Sequence, residues 1–123
     1  MDEPFDFDDN PTVESDLGVY FLPKDRKPAM LEQVQGPGAP AAYPLHKVSL
    51  VIGRSQSADI RVDSGEVSRR HALLTKIGKE FMCEDQESRN GVYLNGVRIH
   101  SATLREGDTL QLGNAIFIYH EGS

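Results

Sequence analysis

Residues 90–96 read Asn90-Gly91-Val92-Tyr93-Leu94-Asn95-Gly96. Two Asn-Gly pairs, each a strong tight-turn signal, bracket an apolar run of three residues. Three residues are too few for a helix, so the stretch predicts a short strand between two turns. The same punctuation continues outward on both sides. Val48, Leu50 and Ile52 alternate with Lys47, Ser49 and Val51, and Ile60 and Val62 alternate with Asp59 and Arg61. Residues 71–77, 80–84, 110–112 and 115–119 are further short runs, set off by Gly, Asn or Asp. No stretch holds a capped helical period over about ten residues. Many short strands at close spacing predict an all-β fold, an antiparallel β-sandwich.

The first third of the chain reads differently. Leu17–Leu22 is expected to form a short strand. Residues 23–46 carry Pro23, Pro28, Pro37, Pro40 and Pro44 with Gly36 and Gly38, and are expected to be a long loop within the domain, with a turn of helix at Met30–Gln33 at most. Residues 1–16 hold seven acidic side chains and no Lys or Arg, with too little apolar surface to offset ordering entropy. The expected organisation is a disordered acidic tail over 1–16 and one domain over 17–123.

Composition narrows the functional classes. Of 123 residues, 38% are hydrophobic and 26% charged, enough for a core. No run of 18 or more apolar residues offers a membrane span, and the acidic start is not a signal peptide. A single cysteine, Cys83, makes neither an internal disulfide nor a structural zinc site. The spacing of Asp6, Asp8 and Asn10 fails as a calcium loop, because Pro11 and Leu17 stand where Gly and Glu are required. Neither metal nor cofactor is expected. The expected compartment is a reducing one, the cytoplasm, or the nucleus in a eukaryote. The net charge of −6 belongs to the tail, since residues 17–123 hold twelve acidic and thirteen basic side chains. An anionic ligand for the domain therefore remains open.

Four polar pieces lie in order in or beside predicted turns: Gly53-Arg54-Ser55, Ser68-Arg69-Arg70-His71, Ser88-Arg89-Asn90-Gly91 and Asn95-Gly96. Loops at one end of a sandwich cluster in space. Together they would present guanidinium forks from Arg54, Arg69 and Arg89, the Ser68 hydroxyl and backbone N–H groups near Gly91. That is a donor set for a phosphate dianion.

This ordered set resembles the forkhead-associated (FHA) domain over roughly residues 18–120, with Asp59-Ile60 and Glu106-Gly107-Asp108 also similar to family positions. The resemblance implies an eleven-stranded β-sandwich that binds phosphothreonine peptides. It implies that Arg54 grips phosphate, that Ser68 donates its hydroxyl to a phosphate oxygen, and that Arg69 adds a contact. His71 would brace the binding loop without touching ligand, and Asn90 would contact the peptide main chain. Ser55 and Arg89 complete the expected binding set. Gly53, Gly91, Asn95 and Gly96 would support it through their turns. One departure is Ser88-Arg89-Asn90-Gly91 where the family commonly reads Ser-Thr-Asn-Gly.

The expected function is phosphothreonine-dependent protein binding downstream of a Ser/Thr kinase, with no catalysis. A phosphorylation-independent scaffold of the same fold is the alternative. A Ser68–His71 hydrolase lacks a nucleophile elbow and an orienting acid. Nucleic acid would call for more positive charge and interleaved aromatic residues. Neither nucleic acid nor membrane is an expected partner. Thr12, the only threonine in residues 1–16, is a candidate regulatory phosphorylation site for docking back onto Arg54, Ser68 and Arg89.

Overall fold

Alternation decides which side chains face inward. In a computed structural model of the chain, Ala115, Phe117 and Tyr119 of the strand Ala115–His120 are buried, while Ile116, Ile118 and His120 between them stay partly exposed. The structure describes residues 13–14, 18–22 and 25–123, and of residues 13, 14 and 21 the backbone alone.

Thirteen strands follow one another in the described chain: β1 (Val13–Glu14), β2 (Tyr20–Phe21), β3 (Met30–Gln35), β4 (Ala41–Pro44), β5 (Ser49–Gly53), β6 (Ile60–Arg61), β7 (Ala72–Ile77), β8 (Glu80–Asp85), β9 (Val92–Leu94), β10 (Val97–Ile99), β11 (Ser101–Thr103), β12 (Thr109–Leu112) and β13 (Ala115–His120). Eleven of them build two sheets, in the orders β10-β9-β12-β13-β3-β4 and β11-β8-β7-β5-β6, and β1 pairs with β2. The inward side chains of the first sheet include Leu31, Val92, Leu110, Leu112, Phe117 and Tyr119. They meet Leu50, Ile52, Ile60, Leu74, Phe81 and Cys83 of the second. Burying each large apolar side chain contributes on the order of 1.5–3 kcal/mol. This is the expected β-sandwich.

Several expectations are corrected. Within the long loop expected over 23–46, residues 30–44 form instead the hairpin β3–β4, and the expected helical turn at 30–33 is strand. The hairpin's prolines avoid the ladder: Pro37 and Pro40 lie in the connecting turn, and Pro44 ends an edge strand that needs no donor there. Gln33 is fully buried and donates from Nε2 to the carbonyl oxygens of Gln35 and Pro37, at 3.2 and 2.8 Å, which fixes that turn. The strands β10 and β11 escaped the sequence reading because each has only three residues and neither carries a buried apolar face. The pair β5–β6 is parallel, so the second sheet is mixed. Disorder was expected over 1–16, yet Val13 and Glu14 lie opposite Phe21 and Tyr20 in an antiparallel ladder that satisfies backbone groups. The rest of that expectation, Thr12 included, falls outside the described residues. The strand expected at 17–22 is confined, among the described residues, to Tyr20–Phe21.

The topology gathers three connections at one end. β5 runs into the 54–59 loop, the 62–71 loop leads into β7, and the 86–91 loop joins β8 to β9. The turns joining β7 to β8 and β9 to β10 lie at the other end.

Candidate functional site

The end of β5 and the loop before β7 lie closer than two side chains allow. His71 N–H donates to the Ile52 carbonyl at 2.9 Å, Arg54 N–H to that of Ser68 at 2.9 Å, and Ser55 N–H to that of Arg69 at 3.2 Å. A β-carbon on Gly53 would fall 2.0 Å from the Arg69 carbonyl oxygen, so only glycine fits there. This approach brings Arg54 alongside the loop. Its Nε donates to the Val67 carbonyl at 3.1 Å, which aims the guanidinium while its two terminal amino groups stay available.

Ser68 joins the loops. Its backbone N–H donates to Nδ1 of His71 at 3.0 Å, and its Oγ accepts the backbone N–H of Arg89 at 3.0 Å. A hydroxyl has one hydrogen to give. With Oγ accepting from Arg89, that hydrogen is left for an acceptor in the pocket. His71 is fully buried, and its Nε2 lies 2.8 Å from the Gly91 carbonyl oxygen. Because Nδ1 accepts, Nε2 carries the hydrogen and donates it. One neutral ring thus ties the 62–71 loop to the 86–91 loop.

The third loop is held by its own turn. Ser88 Oγ accepts the Gly91 N–H at 2.9 Å, and Ser88 N–H donates to Asp85 Oδ1 at 3.1 Å. Asn90 Nδ2 donates to the Glu66 carbonyl at 2.7 Å, so this side chain also bridges loops, and its Oδ1 has no partner among the described residues.

Arg54, Ser68, Arg69, Arg89 and Asn90 converge on one open cavity of about 240 Å3, with Glu66 on its wall. Three guanidinium groups face one carboxylate there, so the cavity is cationic. Five of the six expected binding residues meet. Ser55 does not: its hydroxyl lies 2.9 Å from that of Ser57 and accepts the Ser57 N–H at 3.1 Å, closing a small turn outside the cavity. Ser55 adjoins Arg54 in sequence, but the bend after β5 turns its side chain onto Ser57.

Asn90-Gly91 precede β9 and Asn95-Gly96 follow it, so the two turns lie at opposite ends of one strand. Asn95 adopts φ 52°, accepts the Thr109 N–H at 2.9 Å and donates to Asp108 at 3.0 Å. Its support is indirect: the turn sends β10 back along β9, placing the Arg98 guanidinium against Gly91. A β-carbon on Gly91, at φ 82°, would sit 2.7 Å from Arg98 Nε.

Other supports were missed in the sequence. Ser64 Oγ donates to Asn114 Oδ1 at 2.8 Å and accepts the Glu66 N–H at 3.1 Å. Gly113, in the turn between β12 and β13, lies so close to Glu66 that a β-carbon would be 2.8 Å from its carbonyl oxygen. Gly113-Asn114 was a visible turn signal, but its packing under a loop some fifty residues earlier was not.

Comparison with known proteins agrees with this architecture. The family model described as FHA domain matches residues 50–113. The oxoglutarate dehydrogenase inhibitor of Corynebacterium jeikeium is 34% identical over 109 residues, covering 89% of this chain and 74% of that protein. The glycogen accumulation regulator GarA of Mycolicibacterium smegmatis is 36% identical over 105 residues, covering 85% of this chain and 65% of that protein. A solved structure from a structural and functional analysis of phosphothreonine-dependent FHA domain interactions superposes with a TM-score of 0.69 at 30% identity, covering 75% of this chain and 94% of its own. The chain belongs to the FHA domain family.

Proposed function

We propose that this chain is a phosphothreonine-dependent protein-binding module in Ser/Thr kinase signalling, without catalysis of its own, and that the cavity under Arg54 receives the phosphate. The carrying observation is the convergence of Arg54, Ser68, Arg69, Arg89 and Asn90 on one cationic cavity. A phosphate dianion has three acceptor oxygens and a charge of about −1.5 to −2 at neutral pH. The guanidinium groups supply charge and paired donors, and the Ser68 hydroxyl supplies a directed donor. Asn90 Oδ1 is placed to accept an N–H of the peptide main chain. The relative that inhibits oxoglutarate dehydrogenase supports a reading in which binding itself regulates the partner.

The test is calorimetric titration with matched phosphothreonine, phosphoserine and unmodified peptides from an oriented library. Affinity is expected for the phosphothreonine peptide alone. Arg54→Ala removes charged hydrogen bonds worth about 1.5–3 kcal/mol each, so affinity falls about tenfold or more. Equal binding of the unmodified peptide would favour a phosphorylation-independent scaffold.

A further inference from the structure

A second cavity lies at the other end of the sandwich. The six residues of β7 lead from the Ser68–His71 loop to the Gly78 turn, a span of about 20 Å. The cavity there holds about 170 Å3 and is lined by Tyr20, Leu22 and Phe81 together with Arg26, Lys27 and Lys79. Tyr20 and Phe81 are buried, whereas the three cations are exposed and make no ion pair among the described residues. A cavity of about 150 Å3 takes up benzene. The space therefore suits one phenyl ring, and its rim suits carboxylates beside that ring.

The chain carries that chemistry in Asp2-Glu3-Pro4-Phe5-Asp6-Phe7-Asp8-Asp9, two phenylalanines among five acidic residues and no cation. The anchor of that segment lies nearby. In the β1–β2 ladder Val13 lies opposite Phe21, the neighbour in sequence of Leu22, which lines the cavity. Phe7 stands six positions before Val13 and Phe5 eight, a reach of about 20–28 Å at full extension. A tether this short gives a local concentration on the order of millimolar, so even weak contacts suffice.

We propose that the segment 2–9 is the occupant of this cavity, with the ring of Phe5 or Phe7 on Tyr20 and Phe81 and its carboxylates at Arg26, Lys27 and Lys79. The contact is independent of the phosphate reading. It also holds an acidic segment away from the arginine-lined cavity, which its carboxylates would otherwise complement.

The test uses the full chain with a nitroxide attached through Asp2→Cys. Burial pushes the Cys83 thiol up to about 12 and leaves it unreactive, so the label goes to one site. Amide resonances of Leu22, Ala29, Lys79 and Phe81 are expected to broaden. The broadening should be lost in the Phe5→Ser/Phe7→Ser variant and in Arg26→Glu/Lys79→Glu, all of whose other resonances stay in place. Broadening centred on Ser68, Arg89 and Asn90 would overturn the proposal, as would broadening indifferent to both double substitutions. Broadening that passes to 15N-enriched protein from labelled 14N protein in a mixture would assign the cavity to a second copy and overturn it too.

Discussion

The Nε2–H of His71 donates to the carbonyl oxygen of Gly91 at 2.8 Å, twenty residues along the chain and on a different loop. With Nδ1 occupied by the Ser68 N–H, both ring nitrogens are used inside the protein and none is left for a ligand. His71→Ala strands a buried carbonyl and a backbone N–H, at a cost of about 1–3 kcal/mol. Urea denaturation should show that loss, and phosphopeptide affinity should fall with it as the two loops part. An unchanged midpoint with binding abolished would make His71 a direct ligand contact instead.

Gly53→Ala should be more damaging than its size suggests. The new methyl would meet backbone atoms, the Arg69 carbonyl oxygen at 2.0 Å and carbon at 2.7 Å, and neither can rotate away. Crowding of this kind costs about 1–3 kcal/mol, and the displaced loop carries Ser68 with it, so stability and affinity drop together. Gly78→Ala, in the turn joining β7 to β8, is the control. It meets nothing within 4 Å but holds φ 63°, so it should cost about 1–2 kcal/mol of conformational strain and leave affinity unchanged. Thermal unfolding and peptide titration on the two variants separate these outcomes.

The two predictions also show where the sequence stops being informative. From residue 48 onward, alternation and turn dipeptides are local signals, and they foretold β5 to β9, β12 and β13. The arginines, Ser68 and Asn90 were readable because each lies at a turn beside a recognisable neighbour. What stayed hidden is non-local. The prolines of 23–46 masked β3 and β4, because a proline's harm depends on whether its position needs a ladder donor, and Pro44 on an edge strand does not. The parallel pairing of β5 with β6 belongs to two segments jointly. Ser55 was drawn toward the site by sequence nearness, while Glu66, Arg98 and Gly113 belong to it through contacts between distant elements.

Away from the site, His120 of β13 bridges two carboxylates, Glu32 of β3 and Glu106 of the turn before β12. Its Nε2 lies 3.0 Å from Glu32 and its Nδ1 3.0 Å from Glu106, and these hydrogen bonds, Glu32 first, hold its pKa above the ordinary 6.5. A raised folded value means that the unfolded chain loses this proton first as pH rises. The stabilisation is therefore complete below about pH 6.5 and disappears as pH climbs through the raised value. His120→Gln should flatten the stability profile above about pH 6.5 relative to the parent, read as unfolding midpoints from that pH upward. The effect should be small, because the ring is partly exposed and water screens the pairs.

Ser68 and Arg54 offer the phosphate different things, and salt separates them. Arg54 contributes a full charge in a half-open cavity, so part of its attraction is screened as ionic strength rises. The Ser68 hydroxyl contributes one directed hydrogen bond over a short distance, which salt hardly touches. Ser68→Ala also leaves the Arg89 N–H without its acceptor, loosening the loop that carries Arg89 and Asn90. Losing a hydrogen bond to a charged group costs about 1.5–3 kcal/mol, roughly a tenfold to hundredfold fall in phosphopeptide affinity. Ser68→Thr, which keeps the hydroxyl, should recover most of it. Measured from low to high salt, Ser68→Ala should keep the parent's slope with a constant offset, whereas Arg54→Ala should flatten the slope. Parallel curves for both variants would mean that Arg54 acts through its Val67 hydrogen bond, as a brace of the loop, and that the phosphate is held by Arg69 and Arg89.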